Sequence, residues 1–127
     1  MDKLIKVKAD QNIIADKVVY ADTRELRNKG VLGRQTLAVN EGVLLVMPGR
    51  TGLSLLHSIH MFGVPFELAV AWLDKDGYIL DLKLAKSGRM YFPRGFFTNS
   101  AYVLEVHPDH YQILQDSQQI HWEDGSG

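Results

Sequence analysis

The chain contains no cysteine. That absence excludes a disulfide framework, thiol catalysis and any zinc site built on thiolates. There is also no surplus of charge of either sign: 14 basic and 15 acidic residues leave a formal charge of −1. A nucleic-acid-binding domain ordinarily needs a basic excess to neutralise phosphates, so nucleic acid is not the expected partner. No apolar run reaches the roughly 18 residues of a membrane span. The opening Met1-Asp2-Lys3-Leu4-Ile5-Lys6 carries charge but lacks the apolar segment of a signal peptide. A cytoplasmic protein with no membrane partner is therefore the expectation. Internal repeats and low-complexity linkers are missing too, which leaves one domain for this length. We assign residues 1–122 to that domain and 123–127 to a flexible tail.

What is present is a series of short strands. The longest apolar region runs from His57 to Asp81. Alternation places Phe66, Leu68, Val70 and Trp72 on one face of a strand and Glu67, Ala69, Ala71 and Leu73 on the other, both largely apolar, as in a strand buried on both sides. Asp76-Gly77 is a hairpin turn signal, because Gly takes positive φ without a Cβ clash. Tyr78 to Leu84 resumes with a period of two and completes the hairpin. Further strands are predicted at Leu4–Lys8, at Ile13–Tyr20 with a bend near Asp16, at Val43–Met47, at Ala101–Val106 and at Gln119–Trp122. Leu53–Met61 fits either a strand or one helical turn, and a short strand at Met90–Phe92 is set in a Gly/Pro-rich loop.

Two short helices complete the reading. Asp22 or Thr23 can cap a helix that runs through Lys29 and stops at Gly30. His107-Pro108-Asp109 opens a second, from Asp109 to about Leu114. Many short strands, two helices and no βαβ rhythm predict a mainly β, single-domain antiparallel β-sandwich or barrel.

The order of several motifs resembles one family. Ala21-Asp22-Thr23, then Arg27-Asn28-Lys29-Gly30-Val31-Leu32-Gly33-Arg34, then Glu41-Gly42-Val43-Leu44-Leu45-Val46 is similar to the opening of domain of unknown function 192 (UPF0127-like). Ser58-Ile59-His60-Met61, Asp74-Lys75-Asp76-Gly77-Tyr78-Ile79 and Tyr102-Val103-Leu104-Glu105 are similar to its later segments, so the likeness runs from about Val18 to Trp122. The sequence departs from the family pattern at Glu67, where the family carries Asp, and the segment between His60 and Pro65 is about two residues short. The resemblance implies a jelly-roll-like β-sandwich and no established reaction.

The candidate chemistry is sparse. His57 and His60, spaced i, i+3, share a face only on a helical turn and would still need a third metal ligand such as Glu67 or Asp74. The other reading is one surface histidine and one hydrogen-bonded core histidine, and no metal or cofactor is expected. His60 and Glu67 could act as an acid–base pair. Glu67 could equally be a rim residue paired with Arg34 or Arg50. No Gly-x-Ser-x-Gly elbow accompanies them, which weighs against a hydrolase. Gly49-Arg50-Thr51-Gly52 offers anion donors at a turn. Arg89 to Phe97 interleaves two arginines with Tyr91, Phe92, Phe96 and Phe97, either as a stacking surface or as core aromatics with arginines at the rim. The expected function is a ligand- or partner-binding module, taking a small molecule or a protein, with a site joining Arg34, His60 and Glu67 and supported by Arg27. The alternatives are a small enzyme using His60 and Glu67, or a dimerising structural module.

Overall fold

Every residue from Leu68 to Leu73 is buried, as a strand covered on both faces requires. The computed structural model describes residues 2–49 and 52–125. The strands are β1 (Leu4–Ala9), β2 (Asn12–Ala21), β3 (Glu41–Val46), β4 (Gly52–Leu53), β5 (Ile59–His60), β6 (Leu68–Leu73), β7 (Ile79–Ala85), β8 (Met90–Tyr91), β9 (Phe97–Thr98), β10 (Tyr102–Val106) and β11 (Ile120–Asp124). The helices are α1 (Arg24–Lys29) and α2 (Tyr111–Gln115), with 3-10 turns at Ser54–His57 and Pro108–His110.

Seven strands form one sheet in the order β11-β1-β2-β3-β10-β6-β7, and β4-β9 and β5-β8 form two small ribbons. The mainly β class with two short helices is the one expected, built as one curled sheet rather than two stacked ones. All ladders of the large sheet are antiparallel except β2–β3, which is parallel. The sequence reading expected an antiparallel fold and did not foresee this pair. A parallel pair needs a crossover, and α1 with the irregular segment 30–40 supplies it. The sheet curls until its two edges touch. Tyr78 and Gln119 form an antiparallel bridge, with Ile79 N–H donating to Gln118 O at 3.0 Å and Ile120 N–H donating to Gly77 O at 2.8 Å. A Cβ on Gly77 would lie 2.3 Å from Ile120 O, so closure at this end demands glycine.

Curling creates two cores. On the concave face Ala69, Ala71 and Leu73 of β6 meet Ile5 and Val7 of β1, Leu104 and Val106 of β10, and Leu114 and Ile120. On the other face Leu68, Val70 and Trp72 pack with Val43, Leu45 and Val103 under Val31, Leu37, Ile59, Met61 and Val64. The irregular segments are therefore a lid of apolar side chains over the outer face of β3, β10 and β6.

Local signals act as expected at several points. The bend near Asp16 is a register irregularity: Ile5 faces Val18 but Val7 faces Ala15. Asp74 Oδ1 accepts the N–H of Asp76 and of Tyr78, both at 2.9 Å, and holds the β6–β7 turn. The ambiguous segment 53–61 resolves into a strand residue, a 3-10 turn and β5. β11 runs past the expected end: Glu123 and Asp124 pair with Lys6 and Ile5, so these two are strand rather than tail. Ser126 and Gly127 lie outside the described residues. Among the described residues no helix is long and apolar enough to cross a membrane.

Candidate functional site

β10 lies between β3 and β6, so Glu105 has Val43 on one side and Val70 on the other. Alternation puts its side chain with Val103 on the outer, apolar face. Glu105 is only 5% exposed, and its Oε1 meets no hydrogen-bond partner among the described residues. Burial pushes its carboxyl pKa up to about 7, and no nearby cation offsets the shift. A carboxylate removed from water without a partner favours its neutral form.

The ceiling over Glu105 comes from α1. Thr23 caps the helix by accepting the Leu26 N–H at 3.1 Å. Gly30 ends it with φ of +47° and donates its N–H to Leu26 O. Here glycine has two reasons to be present. The backbone is in a region that side chains rarely adopt, and a Cβ would lie 3.2 Å from Glu105 Oε1. Arg27 is anchored by a bond from its Nη1 to Val46 O at 3.2 Å, which leaves further guanidinium donors free to serve a ligand.

Between these elements lies a cavity of about 240 Å³. Glu105, Leu45 and Ile59 line it together with Arg27, Lys29, Gly30, Val31, Ser58, His60 and Val64. Glu105, the basic residues Arg27 and Lys29, His60 and apolar residues thus line one half-open cavity. Such a mixture can hold a small polar molecule by a few directed bonds beside an apolar wall.

Of the four residues selected from sequence, the structure brings Arg27 and His60 to this cavity; Arg34 and Glu67 are not among its lining residues. His60 is exposed and stacked on Phe62, with centroids 5.3 Å apart. Arg34 pairs with Glu41 at 3.2 Å instead of with Glu67. Glu67 precedes β6 and is exposed, so its place in the alternation never carries it into the core. Arg50 and Thr51, the tip of the turn considered for anions, lie outside the described residues. Sequence reasoning passed over Glu105. The signal was present in Tyr102-Val103-Leu104-Glu105-Val106, an acid inside an apolar strand, the same oddity that drew attention to Glu67.

The two histidines of the central stretch part company. His57 is buried, and its Nδ1 shares a 2.6 Å hydrogen bond with Ser100 Oγ. Thr98 Oγ1 donates to the same Ser100 oxygen at 3.1 Å. Burial lowers the His57 pKa, in keeping with a neutral ring. Trp72 Nε1 donates to His57 O at 2.8 Å. Ser100 is wholly buried, so the pair anchors the 3-10 turn and offers no accessible nucleophile. Among the described residues no group of three His, Asp or Glu side chains comes together to hold a metal. Phe96 and Phe97 are 74% and 70% exposed and stand edge to face at 4.9 Å. For Phe96 and Phe97 the reading as core aromatics is therefore corrected: β9 is a two-residue strand paired with β4 that exposes Phe97 and buries Thr98, whereas Tyr91 packs against the outer core.

A profile of DUF192, described as an uncharacterised family (Uncharacterized ACR), matches residues 5–119. Among curated proteins, the chain is 36% identical over 78 residues to a UPF0127 protein of Thermococcus kodakarensis, covering 61% of this chain and 47% of that protein. It is 31% identical over 99 residues to a UPF0127 protein of Thermococcus sibiricus, covering 78% and 60%. The chain thus spans about half of the length of the curated relatives it matches. Two crystal structures share the fold. A protein of unknown function from Novosphingobium aromaticivorans has a TM-score of 0.71 at 16% identity, covering 94% of this chain and 82% of that one. A proposed transcription regulator from Sinorhizobium meliloti has a TM-score of 0.73 at 19% identity, covering 98% and 96%.

Proposed function

The chain belongs to the DUF192 family, which has no assigned reaction, and from that premise we propose that it is a small-molecule binding module whose site is the cavity between α1, β5 and β10. The observation that carries this reading is Glu105. A protein gains no stability from a lone carboxyl on a central strand, since an apolar residue of similar volume would avoid its desolvation. A group kept at such a cost beside a cavity is a functional-site candidate on physical grounds. Arg27 and His60, chosen from sequence, support the reading because they line the same enclosure. Arg34 and Glu67 take no part in it.

The test is a thermal-shift panel of small carboxylates, phosphates, sugars, amines and nucleotides. A bound molecule at a hundredfold excess over its dissociation constant stabilises by about 2.7 kcal/mol. The expected result is a shift by one class that is lost in Glu105→Leu and weakened in His60→Ala, both variants being folded by circular dichroism. A panel without any shift, or one unchanged in both variants, would remove the site.

A second reading rests on the same residue. A carboxyl poised near neutral pH suits proton transfer, so the cavity also fits a small enzyme with Glu105 as its acid–base group. Turnover of a molecule that binds, abolished in Glu105→Gln, would favour it. Binding without turnover would leave the module.

A further inference from the structure

We propose that the molecule taken by this cavity is a small monocarboxylate with a short apolar tail, bound through a hydrogen bond between its carboxylate and the Glu105 carboxyl. The inference rests on the binding-module reading and narrows it to one ligand class. Three features of the enclosure select the class. The first is Glu105, which lines the cavity and whose carboxyl has an oxygen, Oε1, without a hydrogen-bond partner among the described residues. The second is charge. Arg27 and Lys29 from α1 and His60 from β5 line the cavity, whereas β3 and β6 present Val43 and Val70 beside Glu105. The cations of Arg27 and Lys29 repel amines and attract an anion. The third is the wall of Val31, Leu45, Ile59 and Val64, which a sugar or inorganic phosphate would leave uncovered and which a short hydrocarbon tail fills. At about 240 Å³ the space falls below the roughly 300 Å³ at which drug-sized pockets begin, so the tail is a few carbons long.

The charge balance makes binding proton-linked. Two ionised carboxylates cannot face each other at hydrogen-bond distance, so one proton is held between Glu105 and the ligand. The ligand remains an anion near neutral pH, and the proton resides on Glu105. Above a pH of about 7, where Glu105 ionises in the empty site, each complex takes up a proton from solvent. Affinity then falls by up to about tenfold per pH unit.

The experiment is isothermal titration calorimetry of the whole chain with propionate, butyrate, lactate and hexanoate, each beside its primary amide and amine. Titrations run from about pH 6 to about pH 9, in two buffers of different ionisation enthalpy. The expected result is binding of one or more carboxylates, weaker by at least about tenfold for the matching amide and amine, with proton uptake that grows above pH 7. Glu105→Gln supplies a permanent neutral donor of nearly the same shape. It should bind the carboxylate with no proton uptake and keep its affinity at high pH. His60→Gln, which removes the imidazole from the cavity lining, should keep the uptake. Carboxylate binding with no uptake in the native protein would overturn the inference. So would Glu105-dependent binding of amines, sugars or phosphate in place of carboxylates, an outcome that keeps the site and discards the class. No binding by any probe overturns both readings.

Discussion

Glu105 and Asp81 are both buried acids, at 5% and 8% exposure, and each keeps one oxygen without a hydrogen-bond partner among the described residues. Their surroundings differ. Asp81 lies on β7, at the edge of the large sheet. Its Oδ1 accepts the Leu82 N–H at 2.9 Å, and Lys83 and Arg94 each reach the carboxylate at 3.8 Å. Glu105 lies on β10, flanked by strands on both sides, and no cation stands within ion-pair distance among the described residues. An edge strand lets long basic side chains bend round from solvent and supply charge. At the central strand the basic residues that line the cavity, Arg27 and Lys29, stay beyond ion-pair distance of Glu105. Burial of an acid is therefore compensated in one place and left open in the other, and the open place adjoins a cavity.

The largest expected effect separates the two acids by sign. Glu105 has a folded pKa of about 7 against an ordinary value of 4.5. The folded state thus holds a proton that the unfolded chain has released between those two values. Stability from this group is full below pH 4.5, declines through the window and reaches its minimum above pH 7. The total loss is roughly 3 kcal/mol, at about 1.4 kcal/mol per pH unit. Glu105→Gln should remove that decline and be more stable than the native protein at pH 8, read from urea curves. His57 titrates with the opposite slope: burial lowers its pKa, so its contribution is present above about 6.5 and is lost as pH falls. The difference between variant and native protein cancels it. A variant no more stable at pH 8 would show that Glu105 is compensated after all, and the comparison with Asp81 would collapse.

Gly30→Ala comes next. Positive φ at a non-glycine residue, together with a Cβ at 3.2 Å from Oε1, should cost about 1–3 kcal/mol. It should also abolish binding of any ligand that reaches Glu105, as seen by calorimetry on the folded variant. Asp81→Asn should cost about 1 kcal/mol at pH 7, because it removes the charge facing Lys83 and Arg94, and the cost should shrink in high salt. A stabilising Asp81→Asn would place both acids in one class. The smallest effect is expected at Glu67. This exposed side chain should tolerate Gln within about 0.5 kcal/mol in thermal unfolding, with no change in carboxylate binding.

Glu67 and Glu105 also mark how far the chain could be read before folding. Both are acids beside apolar runs, and local pattern cannot rank them. What separates them is that β6 begins at Leu68, one residue after Glu67, whereas β10 continues past Glu105. Strand boundaries depend on which neighbours pair, and those neighbours are distant in sequence. His60 and Arg27 stood out as polar residues of the segments that resemble the family, in otherwise apolar surroundings. Arg34 is drawn to Glu41 across an irregular loop whose path no periodicity describes.

The sequence by itself determined the β-rich class, the β6–β7 hairpin, the Thr23 cap and Gly30 stop of α1, and the two-sided burial of Leu68–Leu73. Each of these rests on interactions within a few residues, where alternation, capping and turn chemistry act. Tertiary structure alone decided the parallel pairing of β2 with β3, the meeting of the sheet edges at Gly77 and Ile120, and the placing of α1 over Glu105. Those depend on contacts between segments tens of residues apart. There the outcome is set by which apolar faces can be buried together, and by which acid is left without a partner when they are.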